Sequence, residues 1–308
     1  MAAQPEIALT MKTEATYAVV VTDLDDTLFD WVGPWHKCFS AMVDRVLELS
    51  GLDREVVLDD FRTVHQKHGT AEYAFALEEL ACLLEREGSP EVVKEKYAGA
   101  IEAYRDARGK HLRLYSTVLE GLVELRARGC LVVGYTESLA FYANYRVRRL
   151  GLDGILDYLF SPEDHDIPEH LSQVGFRHYS EEAYRFRHTI HDHTPKGELK
   201  PNPKVLADII AGVGAQRSET IYVGDKLHKD VLMAKRAGVT DVHARYGQSH
   251  EREEYELLKR VTNWTREMVK EEAETTHYDV KPTHVIDRFG ELLDVFCFRQ
   301  FEGNVKRK

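Results

Sequence analysis

What most constrains this chain is a set of three short β-branched runs, far apart in the sequence, each stopping on residues with reactive side chains. The first is Tyr-Ala-Val-Val-Val-Thr at 17–22, followed by Asp23-Leu24-Asp25-Asp26-Thr27. The second is Leu-Val-Val-Gly-Tyr at 131–135, followed by Thr136-Glu137-Ser138. The third is Thr-Ile-Tyr-Val-Gly at 220–224, followed by Asp225. None alternates apolar with polar, so each reads as a strand buried on both faces, as in the middle of a parallel sheet. Weaker strand signals lie at 155–160, 240–244 and 284–286. Helical stretches at 119–128, 139–150, 203–212 and 229–237 separate the strands. Strands alternating with helices of this length imply an α/β fold with a doubly wound, Rossmann-like parallel sheet.

About a hundred residues separate the first run from the second, too many for one crossover. The apolar positions Trp35, Cys38, Phe39, Met42, Val43, Val46 and Leu47 are spaced as one helix face. Gly33-Pro34 opens that helix and Ser50-Gly51 closes it. Further helices are expected at 54–68, 71–87 and 90–107. The spacing therefore predicts a discontinuous core, 15–30 with 112–300, interrupted by a helical domain at 31–111, with loose tails at 1–14 and 301–308. Two segments stand apart. Residues 162–199 are polar, hold six histidines, and read as a long loop or insertion. Residues 251–274 are strongly charged with an apolar stripe (Tyr255, Leu258, Val261, Trp264, Met268), most simply a surface helix.

Composition narrows the partners. Acids outnumber bases 52 to 41, a formal net charge of −11, which argues against nucleic acid and against an anionic membrane surface as partners. No apolar run is long enough to span a bilayer. Four cysteines form no C-x-x-C pair and fit free thiols in a reducing cytoplasm. The histidines at 188, 191 and 193 beside Asp192 lack a second pair at zinc-site spacing, so solvated histidines are the expectation. Oligomeric state is not legible.

In an open α/β sheet, ligands bind beyond the carboxyl ends of the strands. Here Asp23 and Asp25, Thr136, and Asp225 all fall there. Taken singly, each is ordinary turn or cap chemistry, and Glu137 and Ser138 read as helix caps. Taken together and in order, they resemble the haloacid dehalogenase-like (HAD) hydrolase superfamily. Asp23-Leu-Asp25-Asp-Thr27 resembles its first motif, and Thr136 its second. Lys200, in Lys-Pro-Asn-Pro at 200–203, sits where the third expects a lysine, with Lys196 as the alternative register. Gly224-Asp225 followed by Asp230 is similar to the fourth, and the helical insertion to the family's C1-type cap.

The resemblance implies a Mg²⁺-dependent phosphatase acting through an aspartyl-phosphate. Asp23 would be the nucleophile, and Asp25 the acid that protonates the leaving alkoxide and then deprotonates water. Asp23, the backbone carbonyl of Asp25, and Asp225 would hold the metal, with Asp230 as a direct ligand or support. Lys200 and Thr136 would bind the phosphoryl oxygens. A dehalogenase expels halide and has no use for the Asp25 carboxylate, so its presence favours phosphoryl transfer. The expected substrate is a small phosphorylated metabolite. A phosphomutase or phosphotransferase with the same nucleophile, and a non-catalytic binding protein on the same fold, remain open alternatives.

Overall fold

The computed structural model describes residues 15–164, 184–249, 252–264 and 280–303. By their contacts these fall into two compact units. One holds the described residues up to Phe29, Leu114–Gly247 and those from Val280 onward; the other holds Asp30–Arg113 and the described part of Gln248–Asp279. Among the described residues, no helix is long and apolar enough to cross a membrane.

The first unit is built on a seven-stranded sheet ordered β5-β4-β3-β2-β6-β7-β8. Its strands are β2 (Val19–Thr22), β3 (Leu131–Tyr135), β4 (Tyr158–Ser161), β5 (Ile190–His193), β6 (Thr220–Gly224), β7 (Thr240–Ala244) and β8 (His284–Ile286). Every pairing is parallel. β1 (Thr16–Tyr17) pairs separately with β9 (Cys297–Phe298). The three runs read from the sequence are the three central strands, and β2, β3 and β6 are buried at every residue. Strand order reverses at β2: β3, β4 and β5 follow on one side, and β6, β7 and β8 on the other. That is the switch point at which an open sheet leaves a crevice beyond its carboxyl ends. On one face of the sheet, α8 (Pro203–Gly212) and α9 (Leu232–Ala237) pack Leu206, Ile209, Met233 and Ala234 against Val19, Val21 and Val133.

Three expectations change in this unit. The segment 162–199 is not simply a loop, because it supplies the edge strand β5. Its entry is fixed by Asp153, whose carboxylate accepts the backbone N–H groups of Arg187, His188 and Thr189 at 2.8–3.0 Å. His191 is accordingly half-buried, with Nε2 2.8 Å from Ser161 Oγ, so it is not one of a set of solvated histidines. Residues 165–183 lie outside the described residues, as do 1–14 and 304–308. Phe301, expected in a loose tail, is buried, and its N–H donates to the Gly129 carbonyl at 3.0 Å.

The second unit is helical: α1 (Val32–Ser50), α2 (Arg54–His68), α3 (Ala81–Glu87), α4 (Pro90–Lys96), α5 (Ala98–His111) and α10 (Glu253–Val261). Gly51 and Gly69 end α1 and α2 in the left-handed conformation that glycine adopts without strain. The stretch expected as one helix at 90–107 is two, divided at Tyr97, and 71–87 is helical only in its final part. Residues 251–274 were expected as a surface helix of the core. The described part, α10, instead belongs with the helical unit, where Tyr255, Leu258 and Val261 are buried. An amphipathic stripe must be covered by something, and here α1 and α2 cover it. Met268 lies outside the described residues.

One feature in each unit yields a test. His65 is 2% exposed, with Nδ1 2.7 Å from the Val261 carbonyl, which can only accept, so the ring proton sits on Nδ1. Burial lowers its pKa from 6.5 to about 4. The folded protein therefore binds this proton less tightly than the unfolded chain. Stability from His65 is complete above its unfolded value and is lost as pH falls through it toward 4. Between pH 7 and pH 5, urea unfolding should show the wild type losing about 2 kcal/mol more than His65→Gln. In the first unit, a methyl group on Gly247 would stand 1.7 Å from the Asp26 carbonyl oxygen and 3.0 Å from Asp225 Cβ. Gly247→Ala should destabilise by about 1–3 kcal/mol in the same assay. Gly212→Ala, which adds a methyl in open space, should not.

Candidate active site

The three central strands deliver their last residues to one place. Asp23 leaves β2 still paired, its N–H donating to the Val223 carbonyl at 2.8 Å. The chain then turns back on itself: Asp26 takes a left-handed conformation (φ 60°) and its N–H donates to the Phe29 carbonyl at 2.8 Å. Residues of β7 and the segment just after it brace this edge of the sheet. Tyr246 donates its hydroxyl to the Thr27 carbonyl at 2.7 Å, and His243 Nε2 lies 2.9 Å from the Asp225 carbonyl. Thr27 Oγ1 stands between two acids, 3.4 Å from Asp23 Oδ2 and 3.5 Å from Asp225 Oδ1.

Asp23, Asp225 and Asp230 each present a carboxylate oxygen, and these atoms all lie within 4.8 Å of one another; all three residues are buried. Lys200 reaches into this group, while Lys196 is exposed. The Lys200 ammonium pairs with Asp23 Oδ1, and it donates to Asp230 Oδ1 at 3.0 Å and to the Tyr135 carbonyl at 3.2 Å. It also lies over the rings of Tyr135 and Tyr222, 4.7 and 5.5 Å from their centroids, a placement that favours a cation.

Burial raises the Asp23 carboxyl to about 7, against the pull of Lys200 and with help from Asp230 and Asp25. Burial likewise holds Asp225 well above the usual carboxylate range, with Lys226 opposing it and Asp26 adding to it. Asp230 goes the other way. Burial would raise it, but the Lys200 charge and hydrogen bonds from Lys200, the Lys226 N–H and Tyr222 outweigh that. The Lys200 ammonium is held in its charged form, its neighbouring acids outweighing burial. One lysine against three carboxylates leaves the group short of positive charge.

Asp25 is separate from this cluster. Its Oδ2 accepts from Thr136 Oγ1 at 2.9 Å and Ser138 Oγ at 2.8 Å, and its Oδ1 accepts from Arg146 Nη1 at 3.1 Å. Arg146 also donates to Ser138 Oγ at 2.8 Å. Asp23, Lys200, Asp225 and Asp230 thus gather in one group, whereas the Thr136 hydroxyl bonds Asp25, whose carboxylate faces a different set of donors. Ser138 and Glu137 are not caps: α7 (Ala140–Arg149) has no side-chain cap, the Ser138 hydroxyl donates to Asp25, and Glu137 accepts from the Lys200 N–H. Sequence reasoning missed Arg146, because an arginine in the last turn of a helix ordinarily faces water. It also missed Tyr135 and Tyr222, although their positions on strands flanking β2 were a signal.

A family model described as haloacid dehalogenase-like hydrolase matches residues 17–238, which span Asp23 to Asp230, and a HAD-hydrolase-like model matches 199–292. The chain is 26% identical over 293 residues to the glyceraldehyde 3-phosphate phosphatase of Methanopyrus kandleri, covering 90% of this chain and 95% of that one. It is 24% identical over 236 residues to the protein of the same name from Pyrococcus furiosus, covering 75% and 81%. Among solved structures, the 2-haloacid dehalogenase of Pseudomonas syringae pv. Tomato DC3000 superposes with a TM-score of 0.54 at 17% identity, over 91% of this chain and 97% of that one. This last likeness is one of fold. The model that matches spans most of the sequence and the sheet agrees with it, so the chain belongs to the haloacid dehalogenase-like hydrolase family.

Proposed function

We propose that this protein hydrolyses the phosphate monoester of a small phosphorylated sugar, using Asp23 as nucleophile and Mg²⁺ as cofactor. The observation that carries the reading is the buried group of Asp23, Asp225 and Asp230 around the buried ammonium of Lys200. The substrate class follows the two relatives named as glyceraldehyde 3-phosphate phosphatases. The helical segment 31–111, placed in the chain where the family carries its cap, is the part we assign to substrate choice.

The acids fit a hard divalent cation. All offered atoms are carboxylate oxygens, the donors Mg²⁺ prefers. Two of the three carboxyls are pushed toward their protonated forms, as expected where a positive charge is wanting. Asp23, Asp225 and the backbone carbonyl of Asp25 would hold the ion, with Asp230 as ligand or support. Bound there, it supplies the charge that lets an anionic carboxylate approach an anionic ester.

The chain's own residues do the rest. An Asp23 carboxylate oxygen forms a bond to phosphorus as the ester P–O bond breaks, and the departing alkoxide takes a proton from Asp25. Water then attacks phosphorus, Asp25 takes its proton, and the P–O bond to Asp23 breaks, which restores both carboxyl groups. Lys200 offsets charge on the phosphoryl oxygens, and Thr136 donates to one of them.

Phosphate release from glyceraldehyde 3-phosphate, dihydroxyacetone phosphate, phosphoglycolate and glucose 1-phosphate with Mg²⁺ tests the reading. The wild type should turn over at least one triose phosphate. Asp23→Asn should fall to the blank, and Asp25→Asn should lose about 10²–10⁴-fold in kcat. A wild type no faster than Asp23→Asn across the panel would sink it. Cation binding has its own readout. With Asp23 raised to about 7 and Asp225 also held above the carboxylate range, protons compete with the ion more strongly as pH falls. The rise in Tm on adding Mg²⁺ should therefore be larger at pH 8 than at pH 6, and should vanish in Asp225→Ala.

A further inference from the structure

Lys200 holds its ammonium against Asp23 and Asp230, and the stretch of chain before it lies at the surface. β5 ends at His193, and residues 195–199 are exposed. The Lys200 N–H is not in a sheet ladder. It donates instead to Glu137 Oε1 at 2.8 Å. The other oxygen of the same carboxylate, Oε2, accepts from Lys229 Nζ at 2.7 Å. Lys229 precedes Asp230 on the wide π-type turn Leu227–Val231, and Asp230 in turn accepts from the Lys200 ammonium. One side chain thus links three segments: the residues after β3, the backbone of Lys200, and the turn that carries Asp230.

We propose that Glu137 is a positioning residue, which fixes the backbone from which Lys200 reaches and ties it to the turn bearing Asp230. The inference rests on the reading of Lys200 as the cation facing the phosphoryl group. Glu137 stands directly after Thr136, and its being a carboxylate matters. An ionised carboxylate has two acceptor oxygens and no donor, so it serves an N–H and an ammonium together. An amide has one acceptor oxygen and would turn its NH₂ toward one of the two donors. A lysine carries several rotatable bonds, and only a fixed Cα turns its reach into a fixed charge. Displacement of a positioned group by about 1 Å can cost 10²-fold in rate.

The test uses the full chain and two readouts, one of them independent of turnover. The first is amide hydrogen exchange at Lys200. In Glu137→Ala it should run at least about tenfold faster than in the wild type, and in Glu137→Gln about threefold or more faster, because one acceptor remains. The second is kinetics on whichever ester the wild type hydrolyses. Glu137→Ala should lower kcat about 10- to 100-fold with KM changed less than threefold, Glu137→Gln should recover part of the loss, and Lys229→Met should lose less than Glu137→Ala. Wild-type exchange at Lys200 in folded Glu137→Ala overturns the proposal, as does wild-type exchange in Glu137→Gln where the alanine variant does not fold. A kcat within threefold of wild type in folded Glu137→Ala also overturns it. If the wild type hydrolyses no ester, the reading of function fails while the exchange experiment still decides whether Glu137 holds Lys200.

Discussion

The first unit depends on how it accommodates buried like charges. Asp23 and Asp225, at the ends of β2 and β6, and Asp230, on the turn Leu227–Val231, are each almost fully buried, where water solvates them poorly. Removing ions from water costs several kcal/mol each unless partners replace the solvent. Lys200 is one such partner, and its own burial is tolerable only because two carboxylates and two aromatic faces surround it. The remaining deficit appears as carboxyls held above their ordinary range. The surroundings follow from that arrangement: the Thr27 hydroxyl between two acids, the brace from Tyr246, and the crowding that leaves position 247 without room for a side chain.

Much of this was legible in the sequence, for a physical reason. Central parallel strands are buried on both faces, so β2, β3 and β6 announce themselves as unbroken β-branched runs. The residues that follow them must then lie at one edge of one sheet. Asp23, Thr136 and Asp225 are therefore placed by topology, before any side chain is considered. Lys200 was legible only through resemblance, since nothing local separates it from Lys196; its burial between Tyr135 and Tyr222 is what distinguishes the two.

Other features were hidden because they arise from pairings between distant elements. The Ile-His-Asp-His segment of β5 has no strand signature and is a strand because β4 presents an open edge and Asp153 collects three N–H groups at its entry. The stripe Tyr255, Leu258, Val261 shows that α10 must be covered, but not that the cover lies some two hundred residues earlier in α1 and α2. Glu137 reads as a helix cap and Arg146 carries a charge ordinarily turned to water, and their partners are set by how α7 and the residues after β3 meet the turn at Asp25 and the residues before α8.

The contact between Thr136 and Asp25 has a consequence of its own. A threonine hydroxyl has a single proton to donate, and here it goes to Asp25 Oδ2. If Thr136 is to donate to a phosphoryl oxygen, it must first let Asp25 go. Arrival of the anion and release of the acid would then be one exchange of partners, in which a phosphate oxygen takes the place of a carboxylate oxygen of similar geometry. Arg146 and Ser138 would still hold Asp25, so the proposed acid would give up one of its three donors while the anion is present and regain it when the product leaves.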